Sequence, residues 1–379
     1  MGCAECKLCK QDEEKNQFEY STEAGKKIEN TLENTITKNK NNNNDKDAFL
    51  KEFDEKIKLL GNYISEQEFE IMIPEEAKKH MENESFPSDL KKTNNYQVQP
   101  VEFENGNIFF GQWNENFEME GYGKYFLKEE KVFVEGVWEK GELRKANIFY
   151  PNGEFYQGEM ASSNYNGKGK FICQNYEYNG DFIDGEKNGE GTIKFNDGTE
   201  YSGKFTNNNF DGYGNMKWNN DLEYKGNFKD NYLEGNGVLF NKEGEKYEGY
   251  FEKSAFHGKG KYTYLNGDEY EGDFVYGIRK GKGIYRKNNG FIYEGQWDNN
   301  IPDGYGKITF KDKIIKCNYH NGKLIDESVN ENYSNDNEID YYFYYEPMNL
   351  TTQKLSHLEY VDVSSSQYRA GTMLSFLED

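Results

Sequence analysis

The residues best placed to do chemistry stand at the start of the chain, in MGCAECKLCK. Gly2 follows the initiator Met, as N-myristoylation requires, and Cys3, Cys6 and Cys9 beside it are palmitoylation targets. One myristoyl chain holds a protein only marginally, so a second acyl group is what makes the anchor stable. Position 6 carries Cys where the acylation motif prefers Ser or Thr. The same Cys-x2-Cys-x2-Cys spacing suits thiolate ligands of zinc or an iron–sulfur cluster. A fourth ligand is missing nearby, since no His precedes His80 and Cys173 falls inside a repeat. Dual acylation is therefore the favoured reading, with an unmodified tail as its rival; no metal and no cofactor is expected.

Catalytic patterns are missing elsewhere. No HExxH and no Ser/His/Asp arrangement occurs, and none of the many Gly-x-Gly pairs continues to Gly-x-Gly-x-x-Gly or to a P-loop. His257 stands just before Gly258, a place the repeat below explains. The expectation is that the chain is not an enzyme.

Composition narrows the partners. The 379 residues carry a formal charge of −22, which argues against nucleic acid and against adhesion to anionic lipid by charge alone. No apolar run reaches the roughly 18–20 residues of a membrane-spanning helix, and no apolar signal region opens the chain. An intracellular protein with reduced cysteines is expected. Only 35% of the residues are hydrophobic, but 31 Tyr and 27 Phe allow a core built of rings.

The elements that would carry those rings are periodic. A Tyr-x-Gly-x-aromatic motif places its glycine at Gly111, Gly136, Gly158, Gly180, Gly203, Gly226, Gly249, Gly272 and Gly295, with Cys317 next in register. The last steps are 23, 23, 23, 23 and 22 residues. A Gly-x-Gly motif keeps pace, from Gly121/Gly123 to Gly304/Gly306. With the two-residue period of a strand, Tyr270, Gly272 and Phe274 share one face. Gly258, Gly260, Tyr262 and Tyr264 do the same. Each copy thus reads as a hairpin whose glycines let rings lie flat over the backbone. Glu248, Lys259, Lys261, Glu271 and Asp273 fall on the opposite, solvated face. Turn signals such as Asn196–Gly198 and Asn266-Gly267 join one copy to the next.

The pattern Tyr-Glu-Gly-x-Trp/Phe followed by Gly-x-Gly resembles the MORN (membrane occupation and recognition nexus) repeat, in nine or ten copies from Val101 to Leu324. The resemblance implies an all-β fold, an elongated single-layer sheet of hairpins. It also implies a scaffold, tether or interaction module of membrane junctions, protist cytoskeletons or cilia. Two copies depart from it. Val134 replaces the Tyr of the second copy, with Lys145 and Asn147 where Gly-x-Gly belongs, and Ile315 and Cys317 replace Tyr and Gly in the last. The last copy reads as a cap.

Around the array, residues 1–46 form a polar, Asn-rich tail and linker, and 47–95 a helical segment. Phe49, Phe53, Ile57 and Leu60, with Leu50, follow helical spacing that Gly61 stops. A second helix starts at Pro74. The first helix is expected as a lid on the ring face, the alternative being a partner site. The array spans 101–324, and 325–379 is an acidic tail containing YYFYYEPMNL. The ring face, with Tyr201, Phe205, Tyr224, Phe228, Tyr247, Phe251, Tyr270, Phe274, Tyr293 and Trp297, is the expected partner-binding groove. The functional expectation is a scaffold anchored by acylation at the cytoplasmic face of a membrane. The alternative is a cytoskeletal or axonemal component held by protein contacts. Phosphoinositide binding by Arg279, Lys280 and Lys282 is a remote third, disfavoured by charge.

Overall fold

The computed structural model describes residues 43–83, 96–311, 313–329, 348 and 350. Its 23 strands belong to one open antiparallel sheet, and its three helices precede the array. The all-β, single-layer expectation holds. Most of the N-terminal and C-terminal tails, with Gly2, Cys3, Cys6 and Cys9, lies outside the described residues.

The described residues divide into two compact bodies, one up to Gly169 with Ile183–Gly185, the other Lys170–Phe182 with the residues from Glu186 on. The first body holds helices α1 (Asn43–Leu60), α2 (Glu66–Met72) and α3 (Glu75–Asn83). Its strands are β1 (Gly61–Tyr63), β2 (Tyr96–Gln97), β3 (Val101–Phe103), β4 (Ile108–Trp113), β5 (Met119–Leu127), β6 (Val132–Glu139), β7 (Glu142–Phe149), β8 (Phe155–Ala161) and most of β9 (Asn164–Ile172).

Helix α1 is stopped where expected. A Cβ on Gly61 would stand 2.2 Å from the carbonyl oxygen of Glu102, so only glycine lets the chain turn out of α1 and pair with β3. The α1 face packs on the first copy: Phe53 meets Tyr96 and Phe117 at 4.7 and 4.9 Å, and Ile57 is fully buried. The helix expected as a lid along the ring face thus packs, within this body, at the head of the array. Helix α2, which the sequence pattern does not announce, starts at a capping box: Ser65 Oγ accepts from the Glu68 amide while the Glu68 carboxylate accepts from the Ser65 amide. Phe69, Ile73 and Ala77 of α2 and its continuation pack on Ile108, Phe126, Phe133 and Phe149.

The second body continues the same strand sequence. After β10 (Tyr176–Ile183) and β11 (Glu186–Phe195) come β12 (Glu200–Thr206), β13 (Asn209–Lys217), β14 (Glu223–Lys229), β15 (Tyr232–Phe240), β16 (Lys246–Glu252) and β17 (Ala255–Thr263). Then follow β18 (Glu269–Val275), β19 (Ile278–Arg286), β20 (Ile292–Asp298), β21 (Ile301–Phe310), β22 (Lys313–His320) and β23 (Lys323–Val329). Register puts glycine opposite glycine: Gly203 on Gly214, Gly226 on Gly237, Gly249 on Gly260, Gly272 on Gly283 and Gly295 on Gly306.

Two turn types alternate. Between copies, as at Phe195–Thr199, a three-residue loop ends in a left-handed glycine such as Gly198 at φ 92° or Gly267 at φ 83°. Within copies a two-residue loop has both residues at positive φ, as in Asn207-Asn208, Asp230-Asn231 and Asn299-Asn300. This is the type I′ geometry whose twist matches the flanking strands. Each such turn reaches back 21 residues. Asn208 donates its amide to the Lys187 carbonyl and accepts the Lys187 amide on its side chain, and Asn231 repeats this on Phe210.

Candidate interaction face

The ten predicted groove residues come together, but as a packed layer. Their exposure is 3% or less at every position, which puts them beyond the reach of a partner surface and corrects the expected groove. Three contacts bury each ring. Beneath, the Tyr lies flat on two glycines: a Cβ on Gly283 would stand 2.5 Å from Tyr270 ring atoms, and one on Gly272 would stand 2.6 Å from the Gly283 Cα. At its side, rings meet edge to face. Tyr224 meets Phe228 and Phe251 at 5.1 Å each, Tyr247 meets Phe251 at 5.1 Å and Phe274 at 5.2 Å, and Tyr270 meets Phe274 and Trp297 at 5.1 Å each.

Above the ring lies a side chain nine residues on, which sequence reasoning missed although the spacing is constant. Tyr165 stacks on Tyr156 at 3.7 Å, Phe210 on Tyr201 at 4.1 Å and Phe256 on Tyr247 at 3.8 Å. Arg279 holds this place over Tyr270. Its guanidinium is 5.5 Å from that ring and 4.8 Å from Trp297, and it donates to the Tyr264 hydroxyl and the Asn300 carbonyl at 2.7 Å each. With 3% exposure, Arg279 belongs to the ring layer, and Lys280 pairs with Asp298 at 2.7 Å. The basic patch considered as a remote phosphoinositide site thereby loses Arg279 and Lys280 to internal contacts.

The tyrosine hydroxyl has its own partner. Tyr201, Tyr224, Tyr247, Tyr270 and Tyr293 each donate to the carbonyl three residues on, at 2.8 to 3.1 Å. The register shift beside each glycine presents that carbonyl. Burial pushes the hydroxyls of Tyr201, Tyr224, Tyr247 and Tyr270 well above the usual tyrosine range.

The first glycine of Gly-x-Gly has a different reason from the one expected. Gly212, Gly258, Gly281 and Gly304 sit at φ 99°, 57°, 92° and 106°, left-handed backbone where the strand bulges; the side chains nearest their Cβ positions are Lys204, Tyr250, Asp273 and Gln296, not the motif tyrosines. The departing copies follow from ring geometry. The residue opposite Gly136 is Ala146, one place from the positions expected, and Val134 supplies no ring to lie over it. Ile315 likewise supplies no ring where Cys317 replaces glycine opposite Gly306.

The open groove lies on the other face, where the charged residues fall. About 1150 Å³ in volume, it runs along a strip of bare backbone at Gly260, Gly272, Gly283, Gly295 and Gly306. Its walls carry Lys259, Lys261, Lys282, Lys307 and Lys316 against Glu248, Glu271 and Glu294, five lysines to three glutamates in a chain of net charge −22. Lys259 is held by Asp273 at 2.7 Å, Lys261 by Glu269 at 2.6 Å and Lys307 by Glu294 at 2.8 Å. Lys282 and Lys316 make no ion pair among the described residues. Cys173 and Cys317 are free thiols. No described helix is long and apolar enough to cross a membrane.

The MORN repeat family model matches residues 156–177, 178–200, 201–222, 224–244, 247–269, 270–291 and 293–313, so the chain carries seven consecutive MORN repeats. No curated protein matches it. Among solved structures, a point mutant of the TCP10 domain of Danio rerio CPAP is similar at 8% identity and TM-score 0.25, covering 62% of this chain and 100% of that one.

Proposed function

We propose that this MORN-repeat protein is a non-enzymatic scaffold, held at the cytoplasmic face of a membrane by acyl groups on Gly2 and on Cys3, Cys6 or Cys9, which recruits protein partners along its open sheet face. The observation that carries the reading is the division of labour between the two faces. The motif rings from Tyr201 to Trp297 are consumed by internal packing, while the opposite face keeps a continuous charged groove from Glu248 to Lys316. Repeats of this family are generally protein and membrane interaction modules. Burying the rings leaves the groove side chains free to vary without loss of the fold, as a recruiting surface needs.

The test is fractionation of cells competent for acylation, comparing wild type with Gly2→Ala and with Cys3, Cys6 and Cys9 changed together to Ser. Wild type is expected in the membrane pellet and both variants in the soluble fraction. If all three instead stay with a detergent-resistant skeleton, the anchor reading fails and a cytoskeletal part held by protein contacts replaces it.

A further inference from the structure

The first body shows what this sheet face accepts. By register, Phe110 and Lys124 flank the Gly111–Gly123 pair on the face opposite the rings, and Tyr122 lies between the two glycines of its copy. Helix α2 covers that place. Phe69 meets Phe110 edge-on at 5.7 Å, and Glu70 accepts from Lys124 Nζ at 3.1 Å. Tyr122 is half-buried and donates to Glu135 at 2.5 Å, and Glu135 itself is only 2% exposed.

In the second body the equivalent Tyr305, Lys307 and Lys316 are exposed and Ile284 is half-buried. Tyr305 stands between Gly304 and Gly306 as Tyr122 does between its glycines, yet it is 74% exposed. Ile284 and Lys307 follow their glycines as Lys124 does, and Lys316 precedes Cys317 as Phe110 precedes Gly111. The floor is backbone with no Cβ on this side, so a helix can approach closely. Lys282 and Lys316, which have no ion-pair partner among the described residues, then face whatever lies there.

We infer that the groove from Glu248 to Lys316 is the seat of an acidic amphipathic helix from a partner protein, laid as α2 is laid on β4 and β5. The helix sets an apolar side chain on the strip at Gly283, Ile284 and Tyr305, and carboxylates reach Lys282 and Lys316 as Glu70 reaches Lys124. Charge selects the sign of the partner: Lys259, Lys261 and Lys307 are neutralised by Asp273, Glu269 and Glu294, and Glu248 and Glu271 by Lys246 and Arg286. The unpaired Lys282 and Lys316 leave a local positive excess among the described residues that favours an acidic segment, although the whole chain is acidic. The segment 64–83 of this chain has the required character, with six glutamates against two lysines around the apolar face of Phe69, Ile73 and Ala77.

This inference rests on the scaffold reading, and its test is independent of the membrane anchor. The probe is a fluorescein-labelled synthetic peptide of residues 64–83, titrated into the purified full chain and followed by anisotropy. Saturable binding is expected. Lys282→Glu with Lys316→Glu should weaken it at least tenfold with an unchanged Tm, and a photo-crosslink should map to 248–316. Binding absent up to millimolar peptide, or indifferent to the double charge reversal, overturns the helix seat. It leaves the scaffold reading to the fractionation result. If deleting residues 351–379 is what first permits binding, the occupant is the chain's own C-terminal tail and the partner helix is likewise overturned. A crosslink mapping only to β4 and β5 means that the peptide displaces α2, and this too overturns the seat between Glu248 and Lys316.

Discussion

Tyr270 donates its hydroxyl to the carbonyl of Asp273, 3.1 Å away, with Gly272 between them in the chain. That hydrogen bond and the ring contact beneath it require the same missing Cβ. Glycine here admits a ring and also lets that ring's polar end reach a backbone acceptor that the bulge would leave unpaired.

Gly272→Ala should therefore cost more than Gly267→Ala. A methyl at 272 would stand 2.6 Å from both the Gly283 Cα and the Lys282 carbonyl oxygen, neither able to rotate away. A methyl at 267 meets nothing closer than 3.9 Å and suffers only the strain of φ 83°. Urea denaturation should show about 2–3 kcal/mol lost at 272 and about 1 kcal/mol at 267. Equal losses would refute the close-approach argument.

Ring and glycine should be energetically coupled in the last copy. Ile315→Tyr alone puts a ring where the Cys317 side chain stands and over position 327 opposite it, which carries Glu. Cys317→Gly with Glu327→Gly alone opens a gap beside Ile315. The combined variant should be more stable than the sum of the two separate losses implies, by about 1 kcal/mol in a cycle that treats the glycine pair as one change. Simple additivity would show that the two departures arose independently of packing.

The two-residue turns predict a stabilising change. Asn208, Asn231 and Asn300 each clamp the preceding copy through a side chain, and Ser254 does so on Leu233, whereas Gly277 at the same place offers only its amide to Phe256. Gly277→Asn has open space for its side chain, and Asn tolerates φ 81°. A gain of about 0.5–1 kcal/mol is expected, read as a raised Tm; no change or a loss would mean the clamp does not contribute.

Much of this fold can be read from the sequence, because the 23-residue period, the shared face of Tyr270, Gly272 and Phe274, and the Asn-Gly turns all depend on local chemistry. What could not be read depends on a third dimension. Burial of the rings needs the covering residue nine places on, and that row carries Tyr165, Lys187, Phe210, Leu233, Phe256, Arg279 and Pro302, too varied in type to advertise one role. The type I′ turns hide for the same reason, since Asn-Asn, Lys-Ser and Tyr-Gly all serve. Ala146 was misplaced by one residue because the bulge beside Trp138 shifts the register. Helix α2 is seven residues long and carries barely two turns of periodicity. The site residues nearest the N-terminus rest on motif chemistry alone.

Alkaline pH should dissolve the array. Burial pushes Tyr264 and Tyr125 up to about 12, and the repeat tyrosines are raised as well. In the unfolded chain these phenols ionise near pH 10, so the unfolded state sheds protons first as pH rises. The stabilisation from burying neutral hydroxyls is thus complete below about pH 10 and is lost as pH climbs towards the folded values near 12. Equilibrium unfolding followed by tyrosinate absorbance at 295 nm should show a steep cooperative rise in that window. A gradual titration centred near 10 would contradict the buried layer.

The backward-reaching turns give the second body a mechanical polarity. Each two-residue turn is pinned to the hairpin before it, and nothing beyond β23 among the described residues pins the last one. Tension applied at the C-terminal end therefore peels hairpins in order, each rupture releasing one period of about 23 residues and exposing the next clamp. A scaffold built this way yields in steps: it lengthens under load, and what rides on its earlier hairpins is released last.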